Sequence, residues 1–167
     1  YIYTGDKAVD FEIPGTLAVL HDYDTWQSEK HKYRRFPVMG ISEWKTHRRE
    51  IDRAAFVRAK LGDLDPESIE LLSESAKVIL LLETENAHAM SEQRAAFFKL
   101  IHGECDIPVI ICRSYDLDDE ETFMLHSATD LGGLLLDGMG DGVWISAPKI
   151  PLQRRNMTAF GILQATR

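Results

Sequence analysis

An α/β fold of parallel βα units is the architecture this sequence predicts, and three observations predict it. Short, nearly continuous apolar runs recur along the chain, as in strands covered on both faces. Amphipathic stretches with helical spacing separate them. The loops between are tight, and strand–helix alternation with tight loops produces parallel crossovers. Within this class one candidate is a TIM-barrel-like arrangement, incomplete at this length because a full barrel takes about 250 residues. The alternative is an open doubly wound sheet, which periodicity does not separate from it.

The elements are read in order. Residues 1–53 are poorly assigned: Leu17–Leu20 and Pro37–Ile41 are weak strand candidates, and the polar, aromatic stretch His21–Arg35 reads as a long loop or irregular helix. Residues 54–167 carry the βα units of what reads as a single domain. Ala55–Lys60 is a weak strand candidate, and Val78–Leu82, Val109–Cys112, Leu134–Asp137 and Val143–Ser146 are the clear ones. Asp65 before Pro66 is a helix N-cap signal, with Ile69, Leu72 and Ala76 on one face. A second helix is expected over Ser91–His102, burying Phe97, Leu100 and Ile101. A third opens with Asp118 and Glu121 spaced as a capping box. The last is expected over Arg154–Ala165, after a loop marked by Pro148 and Pro151.

Composition narrows the function classes. The 167 residues are 44% hydrophobic and 28% charged, with a net charge of −8. A surplus of acid repels polyphosphate and anionic membrane, so nonspecific nucleic-acid or membrane binding is disfavoured. A chain of this size buries roughly two-thirds of its unfolded surface and needs no disulfide or metal staple. Its two cysteines, Cys105 and Cys112, match no zinc ribbon, CxxC pair or complete cluster site. Cys112 ends an apolar run and reads as a reduced core thiol. A chain that starts at Tyr1 and stops within a helix at Arg167 reads as a piece of a longer polypeptide.

The most distinctive local feature is Asp137-Gly138-Met139-Gly140-Asp141-Gly142. Gly138, Gly140, Asp141 and Gly142 form a candidate anion turn, because exposed backbone N–H groups in such a turn cradle phosphate. The competing reading is a tight connection between two strands. Neither a GxGxxG spacing nor a P-loop lysine is present. His21, Asp22, Asp24 and His31 read either as scattered metal ligands or as solvated loop residues. The acidic run Asp116–Glu121 lacks EF-hand spacing and suits a helix N-terminus, where the dipole favours negative charge. No catalytic constellation is assembled: GxSxG, HExxH and CxxC are absent.

The segment Ser127–Arg167, SATDLGGLLLDGMGDGVWISAPKIPLQRRNMTAFGILQATR, resembles the 4-hydroxy-3-methylbut-2-enyl diphosphate synthase family of the non-mevalonate isoprenoid pathway. GGLLLDGMGDGV and FGILQATR are its specific parts. The likeness is good from Ile107 onward, holds in layout over Ala54–Cys105, and is loose over the first 50 residues. In the large three-domain members a similar stretch closes a central insert, itself like a diverged copy of the catalytic barrel's closing βα units.

That resemblance tilts the expected fold toward the TIM-barrel-like arrangement, incomplete at this length, and implies a role. The parent enzyme would reductively open 2-C-methyl-D-erythritol 2,4-cyclodiphosphate to 4-hydroxy-3-methylbut-2-enyl diphosphate, with a 4Fe-4S cluster fed by ferredoxin or flavodoxin. The family's cluster ligands, three cysteines and a glutamate, belong to a domain that follows the insert, and their motif is absent here. The catalytic barrel carries an acid where this chain has Val109–Ser114, and an arginine where it has Trp144. The insert is therefore expected to bind no cofactor itself, to be inactive alone, and to place the iron–sulfur domain over the catalytic barrel. A residual diphosphate site at the glycine turn and a docking surface for the electron donor are the rival roles. The other domains of the same chain are its expected partners, and the bacterial cytoplasm or plastid stroma its expected location.

Overall fold

The computed structural model describes residues 1–9, 13–29 and 33–166. Seven strands form one sheet: β1 (Ile2–Gly5), β2 (Val19–Asp22), β3 (Arg35–Gly40), β4 (Ala55–Ala59), β5 (Val78–Leu82), β6 (Val109–Ser114) and β7 (Gly142–Ser146). Every pair is parallel. The helices between and after them are α1 (Tyr23–Ser28), α2 (Ile41–His47), α3 (Pro66–Ser73), α4 (Ala89–His102), α5 (Glu120–Ser127), α6 (Gly133–Leu136) and α7 (Leu152–Ala165). No helix among the described residues is long and apolar enough to cross a membrane.

Strand order decides between the two predicted architectures. The order in space is the order in sequence, β1 through β7. A doubly wound sheet reverses its order at a switch point, so that alternative is excluded. Laid flat, six steps of about 4.8 Å would put β1 and β7 about 29 Å apart. The rings of Tyr3 and Trp144, on those two strands, lie 4.9 Å apart between centroids. The sheet therefore curls into an incomplete, barrel-like arrangement.

Alternation along each strand sorts side chains to two faces. Leu20, Val38, Phe56, Leu81 and Cys112 point inward and form the lumen cluster. Their neighbours Met39, Val57, Leu80, Leu82 and Ile111 point outward, under Leu72, Phe97, Leu100 and Leu131 of the helical layer. Both faces are thus covered, which explains the unbroken apolar runs of β5 and β6.

Several expectations need correction. Leu134–Asp137 is not a strand: α5 continues through a wide π turn, Ala128–Gly132, into α6. A short apolar run looks the same in a buried helix as in a buried strand. Consequently the glycine turn joins a helix to a strand, not two strands. The cap of α5 is Asp119 rather than Asp118, its carboxylate accepting from the Thr122 N–H at 2.6 Å. His21–Arg35, read as a long loop or irregular helix, does hold a short helix, α1, but also the end of β2 and the first residue of β3. β1 was not anticipated at all. Asp65 caps α3 as expected, accepting from the Ser68 N–H at 2.7 Å.

Candidate functional site

Parallel strands deliver all their C-terminal ends to one rim, and in βα barrels ligands are handled there. At this rim lies a cavity of about 540 Å³, lined among others by Tyr3, Arg58, Glu83, Cys112, Ser114 and Trp144. Alternation explains the cast: Arg58, Cys112, Ser114 and Trp144 are the inward members of β4, β6 and β7. Lys60 and Glu85 stand at the mouth, just beyond β4 and β5.

Aromatic rings clamp the inward guanidinium of Arg58. The Arg58 Cζ lies 5.2 Å from the Tyr3 ring centroid and 5.9 Å from that of Trp144. Its Nε is 3.6 Å from a Glu83 carboxylate oxygen. Tyr3 donates its hydroxyl to Asp22 at 2.6 Å. Burial, and then that bond to a carboxylate, raise the Tyr3 phenol above its ordinary value. Lys60 donates to Glu85 at 2.7 Å, and Arg113 lies 3.1 Å from Asp130. All three cations lining the cavity therefore have a carboxylate already. Burial pushes the Cys112 thiol well up, so it is a neutral thiol and no nucleophile.

The predicted anion turn lies at the other end of the sheet. Gly138 has φ +75. Its N–H donates to Leu135 O at 3.0 Å, and the Met139 N–H to Leu134 O at 2.9 Å. This pair of bonds is a Schellman motif, which places Gly138 at the left-handed position ending α6. Gly140 has φ +92, and a Cβ there would meet Ile111 Cδ1 at 2.8 Å. Asp141 ties the corner to β6: its N–H donates to Val109 O at 2.7 Å and its carboxylate accepts from Val109 N at 2.8 Å. Gly142 begins β7, beside Ile110.

The predicted histidine and aspartate ligands scatter. His21 is fully buried on the outer side of β2, its Nδ1 2.9 Å from Thr4 Oγ1 and its Nε2 4.0 Å from Glu29. Burial lowers its pKa, with Glu29 opposing. Arg35 pairs with the same Glu29 and donates to Val9 O at 2.7 Å, holding the N-terminal segment against the sheet. Asp22 bonds Tyr3, Asp24 is exposed on α1, and His31 lies outside the described residues. No group of three potential ligands converges among the described residues.

Comparison with known proteins supplies what geometry does not. The whole chain is 34% identical to a 4-hydroxy-3-methylbut-2-en-1-yl diphosphate synthase (flavodoxin) of Parabacteroides distasonis, spanning 27% of its length. A Bacteroides fragilis synthase of the same name is 27% identical, again over the whole chain. A Chlamydia felis synthase is 48% identical over 60 residues, 36% of this chain and 10% of its own length. The chain belongs to this synthase family. It spans about a quarter of the length of the two relatives it matches in full. No family model and no solved structure matches it.

Within that family the rim positions gain meaning. β6 ends its lumen face with Ser114 and no acid, and β7 presents Trp144, which packs on Tyr3 and Arg58. An iron–sulfur cluster does not fit these residues. It needs four ligands, and the two thiols face opposite ways, Cys105 in the outer core and Cys112 in the lumen. Sequence reading missed the Arg58–Tyr3–Trp144 group. A period-two reading of β4 would have turned Arg58 inward, but its partners come from strands 55 and 86 residues away.

Proposed function

We propose that the chain is a non-catalytic insert of a longer synthase polypeptide, where it positions the iron–sulfur domain over the catalytic barrel. That polypeptide opens 2-C-methyl-D-erythritol 2,4-cyclodiphosphate to 4-hydroxy-3-methylbut-2-enyl diphosphate. The cluster, bound elsewhere in it, supplies electrons received from flavodoxin, the donor named for the relatives. One observation carries the reading for this segment. Arg58, Lys60 and Arg113 around the barrel mouth are each matched to a carboxylate. A diphosphate clamp needs cations free to grip it. Lys60 and Arg113 are hydrogen-bonded to their carboxylates, and Arg58 is ion-paired to Glu83 at 3.6 Å without a hydrogen bond at Nε among the described residues.

Two measurements test this. In an amide NMR titration of the 167-residue chain with the cyclic diphosphate, no saturable shifts are expected. In the longer synthase, Arg58→Gln should leave kcat/KM within about twofold of the parent, while deletion of the whole insert abolishes turnover. Saturable shifts at the mouth with a large loss in Arg58→Gln would overturn the reading. Shifts centred on Gly138, Gly140, Asp141 and Gly142 would instead assign the anion site to that turn.

A further inference from the structure

The seven-stranded sheet curls without closing. An eight-stranded parallel barrel closes when its last strand pairs with its first. Here β7 and β1 face each other without pairing. Between them runs a cleft of about 740 Å³. Tyr3, Phe56, Ile110 and Trp144 line it from the lumen, and Ile2, Val143, Leu152 and Ala159 from the helical side. Tyr1, Ile2 and Leu152, at its walls, are 71, 48 and 62% exposed. Exposed apolar side chains occur on the helices too, such as Leu125 and Phe160, but among the described residues the large ones exposed on strands are Ile2 and Tyr3, both at the slot.

Three features specify the occupant. The first is width. Layers inside such a barrel are built from alternate strands, so side chains from strands two apart meet across the lumen. The Tyr3–Trp144 contact at 4.9 Å is the kind that two strands flanking a single missing strand would make. The second is polarity: both walls are mainly apolar, with Ser146, Arg155 and Asn156 as polar exceptions, so a strand between them needs mostly apolar side chains on both faces. The third is hydrogen bonding. Edge strands carry unpaired main-chain N–H and C=O groups, and Arg155, which also lines the cleft, has a buried Nε without a partner among the described residues. An extended backbone supplies both kinds of partner. A small ligand could not satisfy two strand edges at once.

We propose that an extended apolar segment of the longer synthase polypeptide, from outside these 167 residues, inserts between β7 and β1 as a parallel eighth strand. This rests on reading the chain as a segment of that polypeptide. The Parabacteroides distasonis relative has the length to provide it, since this chain spans 27% of it. Insertion pairs both edges, caps the lumen cluster and anchors the insert to the rest of the enzyme through the barrel wall itself.

Hydrogen exchange, resolved by mass spectrometry over residues 2–5 and 142–146, tests the proposal in the 167-residue chain and in the longer synthase. Both edges should exchange at least about a hundredfold more slowly in the longer protein, with β4 and β5 as the unchanged reference. Equal edge rates in the two proteins would overturn it. So would protection in the isolated chain that grows with its concentration, which would give the slot to a second copy. The readout is edge protection, so failure here leaves the synthase reading intact. That reading fails separately, if the longer protein does not turn over the cyclic diphosphate.

Discussion

The Tyr3 ring of β1 meets the Trp144 ring of β7 edge-on, 4.9 Å between centroids and 60° between planes, although the two strands stand at opposite ends of the sheet. Aromatic pairs in this geometry contribute about 0.5–1.5 kcal/mol beyond their buried area. A double-mutant cycle of Tyr3→Ala and Trp144→Ala, read by urea unfolding, should return a coupling energy in that range. Strict additivity would mean that the sheet does not curl as described.

The corner before β7 depends on two glycines for different reasons. Gly138 needs only a left-handed backbone, with nothing within 4 Å of an added Cβ. Gly138→Ala should therefore cost about 1–2 kcal/mol, the penalty for that conformation. Gly140 combines φ +92 with a Cβ position 2.8 Å from Ile111. Gly140→Ala should cost more, about 2–4 kcal/mol, because strain and overpacking add. Thermal unfolding ranks the two, and equal losses would contradict the close approach to Ile111.

Stability should also fall on mild acidification through His21. Burial lowers its pKa in the folded protein, so the folded chain resists a proton that the unfolded chain accepts. The sign follows: His21 is without effect well above the unfolded pKa of about 6.5. Below that value the unfolded state gains protons first, and stability drops until pH passes the depressed folded value. Subtracting the pH profile of His21→Gln from that of the parent, by urea unfolding, should expose this loss. A flat difference below pH 6.5 would remove His21 as its source.

Thiol chemistry gives a further check. Burial raises the pKa of both Cys105 and Cys112. Iodoacetamide at pH 8 should modify neither at an appreciable rate in the native chain and both in denaturant. Rapid native labelling of Cys112 would show that the lumen opens.

How much was legible depended on where the deciding contacts lie. Val78–Leu82 and Val109–Cys112 announced themselves because a strand covered on both faces must be apolar throughout. Asp65-Pro66 marked a helix start, since capping is a matter of adjacent residues. Leu134–Asp137 was misread because the same composition serves a buried helix, and the Schellman bonds closing it at Gly138 depend on the backbone hand there. β1 was missed: its four residues, Ile2–Gly5, are mostly exposed and carry little pattern.

The sequence by itself determined the class of the fold, most strand positions, the absence of a cluster motif and the family likeness, because each rests on neighbours in the chain or on composition. Tertiary structure decided the rest. Curvature, the open seam between β7 and β1, and the Arg58–Tyr3–Trp144 group join residues up to 141 positions apart. Such contacts leave no local signature, for they follow from twist and register accumulated over seven strands.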